Sequence, residues 1–156
     1  MAALTYTEFS ALDYGYLNGA DLLQFCPIQL LNNKYLINPN IIFNGVQMAY
    51  DELINNLCSK YNIENELSKS GQSTGSGSSS VPRVLMIVKI TSLLALRNIL
   101  GESTNIGNKM MDDFNWAKAA LMQLREGQMS LIGVEKQSYS IASSAHLVKD
   151  KFHQLG

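Results

Sequence analysis

The chain has 156 residues, of which 46% are hydrophobic and 16% charged, and its formal net charge at pH 7 is −1. This length fits one domain that can bury a substantial core, and the near-neutral charge argues against a protein that grips duplex DNA. The low charged fraction leaves much of the surface to amide and hydroxyl groups, which cost less to dehydrate than ions. Such a surface suits a protein packed against neighbours, although it also suits a lone soluble protein.

Targeting and redox features are few. The opening MAALTYTEF lacks a basic region followed by a long apolar one, so no signal peptide is predicted and we expect synthesis in the cytoplasm. The most apolar stretch, residues 84–100, is interrupted by Lys89 and Arg97 and is short for a bilayer span, so a buried helix and no membrane contact are predicted. Cys26 and Cys58 lie among apolar residues, which predicts reduced, buried thiols.

The N-terminal part predicts two short helices within residues 4–26. Thr7 is a candidate cap for the first, with Glu8 in its first turn, and residues 21–25 form the second, which Pro27 stops. Residues 28–39 are rich in asparagine and contain Pro39, so a loop or irregular segment is predicted there.

The middle of the chain predicts a long helix over residues 40–61, with Asn40 as its cap. Its apolar positions follow helical spacing: Ile42, Val46, Ala49, Leu53, Leu57 and Tyr61. Gly45 lies inside it and costs up to ~1 kcal/mol relative to alanine, so packing must stabilise this helix. Residues 68–80, SKSGQSTGSGSSS, predict a flexible loop, either a plain surface connection or a segment that orders on a partner.

Two further helices follow the loop. Pro82 opens the first, residues 84–100, which is apolar on nearly every side; this predicts a central helix covered by several neighbours or by a second subunit, ending at Gly101. The second spans residues 108–126 and ends at Gly127. Its apolar stripe is Met110, Phe114, Ala117, Leu121 and Leu124.

The C-terminal part has weaker periodicity. A short strand is predicted over residues 138–144 and an amphipathic helix near residues 146–155. The fold class predicted from all these patterns is all-α, a small helical bundle with an extended loop, a C-terminal extension and one short β segment. Residues 1–127 form the helical domain, with the flexible loop at 68–80, and residues 128–156 form the extension.

No catalytic, cofactor-binding or metal-binding residue is predicted, so a protein that is not an enzyme is expected. His146 and His153 form an incomplete metal-ligand set, and Ser143 and Ser144 near His146 are too common a combination to indicate a hydrolase. The neighbouring carboxylates of Asp51 with Glu52, and of Asp112 with Asp113, point to different sides of their helices. The basic residues are too scattered to predict a nucleic-acid patch: Lys89, Arg97, Lys109, Lys118 and Arg125.

The order of elements over residues 4–131 resembles the small helical head–tail adaptor proteins of tailed bacteriophages, within them the Mu-like family of virion proteins. The resemblance lies in Lys60-Tyr61 closing the middle helix, in Pro82 before an apolar helix, and in a last helix with a characteristic pattern. The matching positions of that last helix are Phe114, Ala117, Leu121, Leu124, Gly127 and Leu131. The Ser/Gly loop and the region beyond Leu131 depart from the family's pattern.

The resemblance implies a structural protein of the virion neck. Copies would form a ring of about twelve subunits below the portal protein. Such a ring would contact the portal on one side and a tail-side connector or tail protein on the other. Double-stranded DNA would pass through the lumen without specific binding. The alternative interpretation is a free-standing helical module that binds or regulates another protein, which explains the helices equally well but assigns no role to the extension.

Overall fold

A computed structural model describes residues 2–71, 82–101 and 106–137 of the chain. The described part is mostly helical, which confirms the predicted all-α class. Its elements, in chain order, are α1 (Tyr6–Ser10), β1 (Asp13–Tyr14), β2 (Leu17–Asn18), α2 (Gly19–Leu23), α3 (Ile28–Ile37), α4 (Asn40–Leu57), α5 (Ile63–Leu67), α6 (Leu85–Leu100) and α7 (Asn108–Glu126). Strands β1 and β2 pair antiparallel as a small hairpin that the sequence patterns did not predict.

Helix α6 lies at the centre of the bundle, as its all-round apolar character predicts. Nearly every position from Ile87 to Leu100 is buried, and helices α2, α3, α4 and α7 pack against it. Its coverage therefore comes from its own chain, and no second subunit is needed to bury it. The small hairpin adds to this cover through β2.

Helices α4 and α6 run antiparallel. The side-chain amide of Asn98, near the end of α6, donates to the Gly45 carbonyl near the start of α4 at 3.1 Å. At the other end, Glu66 of α5, which follows α4 closely, accepts from the Val84 backbone N–H just before α6, at 2.7 Å. Helix α7 runs parallel to α4, since Lys118 lies 3.4 Å from Glu52 and Arg125 lies 3.1 Å from Asn56.

Gly45 permits the close approach of α4 and α6. A Cβ atom at this position would lie 2.5 Å from Ile99 Cγ1, which is closer than carbon atoms pack. The glycine that weakens α4 as an isolated helix is thus required by its packing in the bundle.

The structure confirms two short helices near the N-terminus, but their caps and bounds differ from the predicted ones. Thr5, not Thr7, caps α1, and it forms a capping box with Glu8. Helix α2 begins two residues earlier than predicted, because Asn18 and Asp21 form a second capping box around its first turn. The predicted stop at Pro27 was wrong, because α2 ends at Leu23 and Pro27 instead begins the next helix.

The predicted loop over residues 28–39 was wrong, because residues 28–37 form helix α3. Pro27, with φ −63°, is its N-cap, and Leu31 is fully buried against the core. The side chain of Asn32 is buried as well, and it exchanges two hydrogen bonds with the Leu4 backbone, of 2.9 and 3.1 Å. Tertiary packing therefore stabilises a helix whose asparagine content and weak periodicity favoured a loop.

Helix α4 ends at Leu57, not at Tyr61 as predicted, and Asn40 is its first helical residue with Pro39 as the cap. Tyr61 instead forms an isolated antiparallel bridge with Lys136, and Asn62 caps the unpredicted helix α5. Cys58 follows the end of α4 on its outer side and is exposed, so the predicted burial was wrong for this thiol and confirmed for Cys26.

The remaining helix boundaries follow the sequence closely. Helix α6 begins at Leu85 with Val84 as its cap, three residues after Pro82, and Gly101 ends it. Helix α7 has the predicted bounds, and Gly127 closes it in the left-handed region with φ 81°.

The chain after α7 folds back onto the helices. Leu131 and Val134 are buried, and the Leu131 backbone N–H donates to the Tyr61 hydroxyl at 3.1 Å. Residues 68–71 are placed by backbone hydrogen bonds, such as that from the Gly71 N–H to the Gly15 carbonyl at 2.8 Å. The rest of the predicted flexible loop, residues 72–80, the predicted strand over 138–144 and the predicted helix near 146–155 lie outside the described residues.

Replacing Gly45 with alanine should lower the free energy of unfolding by about 1–2 kcal/mol. Alanine raises the helix propensity of this position by ~1 kcal/mol, but the clash of its Cβ atom with Ile99 costs more than that. Asn44→Ala is the matched control, since Asn44 is the exposed neighbour on the same helix and its variant should stay within about 0.5 kcal/mol of the parent. Urea denaturation followed by circular dichroism measures both; a Gly45→Ala protein as stable as the parent would show that α4 and α6 do not approach this closely.

Candidate functional site

The residues considered for chemistry in the sequence are dispersed in the structure. Glu52 faces Lys118 of α7, whereas Asp51 beside it is exposed. Asp113 pairs with Lys109 at 3.3 Å, and the neighbouring Asp112 is exposed. Over residues 2–71, 82–101 and 106–137, no group of three acidic, cysteine or histidine side chains is arranged to hold a metal ion. Residues 143, 144, 146 and 153 lie outside these ranges.

Four of the five basic residues named from the sequence have local contacts in the described part of the chain, whereas Arg97 is exposed. Lys89 lies over the Trp116 ring, with its Nζ atom 4.2 Å from the ring centroid. Lys109 and Lys118 face carboxylates, and Arg125 donates to Asn56. These charges are therefore engaged locally along the helices.

Glu66 of α5 is a buried carboxylate with three hydrogen-bond partners. Its Oε2 atom accepts from the Tyr16 hydroxyl at 2.6 Å and from the Val84 N–H at 2.7 Å, and its Oε1 atom lies 2.6 Å from Lys69 Nζ. Lys69 also donates to the Pro82 carbonyl at 3.1 Å. Charge-assisted hydrogen bonds of this kind are the strong ones, and here they satisfy both oxygens of the carboxylate.

A second ion pair lies beside it. Arg83 contacts Asp21 at 2.6 Å, donates to the Tyr16 carbonyl at 2.9 Å, and stacks over the Tyr16 ring at 5.7 Å. The Asn18 side chain donates to the Gly71 carbonyl at 2.7 Å. We call Tyr16, Asp21, Glu66, Lys69 and Arg83 the polar clamp. It joins the N-terminal hairpin to both ends of the segment between Gly71 and Pro82.

The surroundings of the clamp shift the pKa values of two of its members, Tyr16 and Glu66. Burial raises the pKa of the Tyr16 hydroxyl, and its hydrogen bond to Glu66 raises that pKa further. Burial also acts to raise the pKa of the Glu66 carboxyl, but the hydrogen bonds from Lys69, Tyr16 and Val84 outweigh it, so that pKa lies below its usual value. At neutral pH the clamp therefore holds a carboxylate and a neutral phenol. This arrangement ties the N-terminal hairpin to α5 and to the start of α6.

A cavity of about 540 Å³ opens beside the clamp. Its walls include Asn62, Asn65, Ser68 and Glu135, together with Glu66 and Lys69. Glu66 and Lys69 already pair with each other, so the cavity presents neutral amide and hydroxyl groups together with the exposed carboxylate of Glu135. Nothing in this lining distinguishes a particular ligand.

Two apolar surfaces remain exposed at the ends of the bundle. Surface A consists of Leu85 and Ile132, whose side chains are 81% and 89% exposed. They border a groove of about 400 Å³ with Val84, Met86 and Leu131. Large aliphatic side chains this exposed on neighbouring segments indicate a contact surface.

Surface B lies at the corner between α3 and α4. It consists of Leu36, Ile37 and Phe43, which are 41%, 72% and 45% exposed. Residues 35–50 contain no charged side chain, and the exposed polar groups around surface B include the amides of Asn38, Asn40 and Asn44.

Surfaces A and B lie at opposite ends of α4. Phe43 is in the first turn of this helix, which is about 27 Å long at 1.5 Å per residue over 18 residues. Ile132 follows Leu131, which contacts Tyr61 beyond the other end of the helix. Leu85 is the first residue of α6, which begins at that same end.

Sequence patterns did not single out these surfaces. Leu85 belongs to an apolar run that predicts burial throughout, and residues 28–39 were predicted to form a loop. For surface B a sequence signal was available, because residues 35–50 contain no charged side chain. The dehydration of such a surface costs little free energy.

Comparisons with protein-family models, with curated protein sequences and with solved structures find no match to this chain. Among the helices of the described residues, none is long and apolar enough to cross a membrane.

Replacing Glu66 with glutamine should lower stability at neutral pH by about 1–3 kcal/mol, because the clamp loses its charge-assisted hydrogen bonds. In the parent protein, Glu66 contributes fully to the free energy of unfolding above the pKa that its carboxyl has in the unfolded chain, about 4.3. This contribution is lost as the pH falls through the lower pKa of the same carboxyl in the folded protein. The gap between parent and variant should therefore narrow below about pH 4.3. Thermal melts from pH 3 to pH 7 measure this gap, with Glu64→Gln as the control at an exposed position on the same helix. A gap that is constant over this range would contradict the assigned role of Glu66.

Proposed function

We propose that this chain is a structural, non-enzymatic subunit of the head–tail connector of a tailed bacteriophage. In this role, copies form a ring of about twelve subunits below the portal, in the neck of the virion. The observation that carries the proposal is the presence of two uncharged apolar surfaces, A and B, at opposite ends of one helical body. A subunit held between neighbours in an assembly needs two such contact regions.

The sequence resemblance supports the same function independently. Five of the positions that carry it, Phe114, Ala117, Leu121, Leu124 and Leu131, are buried in the core, and Gly127 closes α7. Lys60-Tyr61, by contrast, lies beyond the end of α4 at Leu57. The pattern thus corresponds to packing positions of a compact helical subunit. The locally engaged basic residues are compatible with a lumen through which DNA passes without being bound specifically.

One observation favours a second candidate, a free-standing helical module that binds another protein. Helix α6 is covered by helices of its own chain, so the fold is complete without a second subunit. Such a module would bind one protein through a single surface and would not form a ring with a portal.

Mixing the purified protein with the portal protein from the same genome should distinguish the two functions. We expect a stable complex on size-exclusion chromatography with light scattering, with a mass equal to the portal ring plus about twelve copies of this chain. Met122→Asp, which alters an exposed side chain of α7 that belongs to neither surface, is the control and should bind as the parent does. A protein that elutes separately from the portal at every ratio tested would contradict the connector function.

A further inference from the structure

We propose that the start of α6, residues 82–86, opens locally while the rest of the bundle stays folded, and that the polar clamp controls this opening through the charge on Glu66. Leu85 of surface A lies in this segment, so the opening changes the shape of that surface. Because the opening belongs to the isolated chain, it requires neither a portal nor a second copy.

Apolar burial does little to hold residues 82–86 in place. Pro82 and Leu85 are exposed, and the other three residues of the segment are only partly buried. Full burial begins at Ile87 and continues over nearly all of the remaining helix. Segments with few buried apolar contacts open at a low free-energy cost, whereas buried central helices open only with the whole domain. The boundary between the two kinds of opening therefore lies near Ile87.

A polar contact from another helix takes the place of a cap on α6. Its N-cap residue, Val84, has no polar side chain and makes no side-chain capping bond. The Glu66 carboxylate, 18 residues away in sequence, accepts from the Val84 N–H at 2.7 Å. In a capping box, a glutamate inside the same helix accepts this N–H. The start of α6 is thus held by a residue of α5 and is released when that residue no longer binds it.

Glu66 also positions the other polar groups that bind this segment. Lys69, whose Nζ atom lies 2.6 Å from Glu66 Oε1, donates to the Pro82 carbonyl at 3.1 Å. The Tyr16 hydroxyl donates to Glu66 at 2.6 Å, and Arg83 lies over the Tyr16 ring. Charge-assisted hydrogen bonds are about twice as strong as neutral ones, so neutralising Glu66 weakens the whole set of contacts.

The charge on Glu66 depends on pH in a defined direction. Burial acts to raise the pKa of this carboxyl, but the hydrogen bonds that it accepts outweigh burial, so the pKa lies below its usual value. In the open segment the carboxyl has its ordinary pKa of about 4.3. The closed form is therefore favoured fully above that pH, and this advantage is lost as the pH falls through the lower pKa. The other charged or titratable groups around Glu66 are Tyr16, Asp21, Lys69, Arg83 and the exposed Glu135 of the cavity wall.

Hydrogen exchange of the isolated protein, followed by NMR at single amides, tests the opening. The Val84 amide donates to Glu66, and those of Ile87 and Val88 donate to the Val84 carbonyl, so these three report on the start of α6. Leu94, in the buried middle of the helix, reports on global unfolding. In the parent, the three amides should be less protected than that of Leu94. Glu66→Gln should lower their protection at pH 7 by at least ~10-fold, the effect of losing a charge-assisted hydrogen bond.

Two control variants separate local opening from loss of global stability. Ala117→Gly weakens the buried middle of α7, so it should lower the protection of Leu94 and leave the amides at the start of α6 unchanged. Glu64→Gln alters an exposed carboxylate on the same helix as Glu66 and should change neither.

A pH series on the parent supplies a test that does not depend on how well any variant folds. Protection at the start of α6 should fall below about pH 4.3 and approach that of Glu66→Gln, while Leu94 stays more protected than these amides. Equal protection of the start and middle of α6 in the parent would overturn the local opening, as would a loss at the start of α6 in Ala117→Gly. Protection there that is unchanged by Glu66→Gln, or constant down to pH 3, would overturn the control by Glu66. None of these outcomes bears on binding to the portal, so the connector function is tested separately.

Discussion

The burial of helix α6 is the constraint on which the rest of the structure depends. Its apolar side chains point in all directions, and even two of its polar residues, Thr91 and Ser92, are inaccessible to solvent. Thr91 satisfies its hydroxyl by donating to the Ile87 carbonyl one turn back, at 2.6 Å. Such a helix requires cover on every side, which explains why four helices surround it and why α4 carries a glycine at the point of closest approach. The exposed apolar side chains at the ends of the bundle include those of surfaces A and B.

The polar clamp connects this core to one of those ends. Glu66 accepts the Val84 N–H, one of the amides that the start of a helix leaves without an intrahelical partner. It therefore fixes the first turn of α6, on which Leu85 of surface A lies. The hairpin is also bound to α4 through Tyr50. The Tyr50 hydroxyl donates to the Tyr14 carbonyl at 2.7 Å and accepts from the Leu17 N–H at 2.8 Å. Burial raises the pKa of Tyr50 to about 12, so this link persists at ordinary pH.

The helices α4, α6 and α7 could be predicted because their periodicity and their terminating glycines are local signals. Helix α3 could not, because its stability comes from Leu31 and Asn32 packing against distant segments, while the polar Gln29 and Asn33 are exposed. The polar clamp could not be predicted from the sequence either, because Tyr16 and Glu66 are 50 residues apart in the chain. Surface A was missed for a different reason: hydrophobicity predicts that Leu85 is buried, whereas the position of α6 in the bundle leaves its first turn outside.

The central claim is that the two ends of the bundle are the surfaces through which this chain assembles. Hydrogen–deuterium exchange of the free protein and of its complex with the portal tests this most directly. The account predicts slower exchange in the complex at residues 36–43 and at residues 84–86 and 129–134, with little change in the middle of α6, which is already buried. Slower exchange confined to the exposed face of α7, with both ends unchanged, would contradict it.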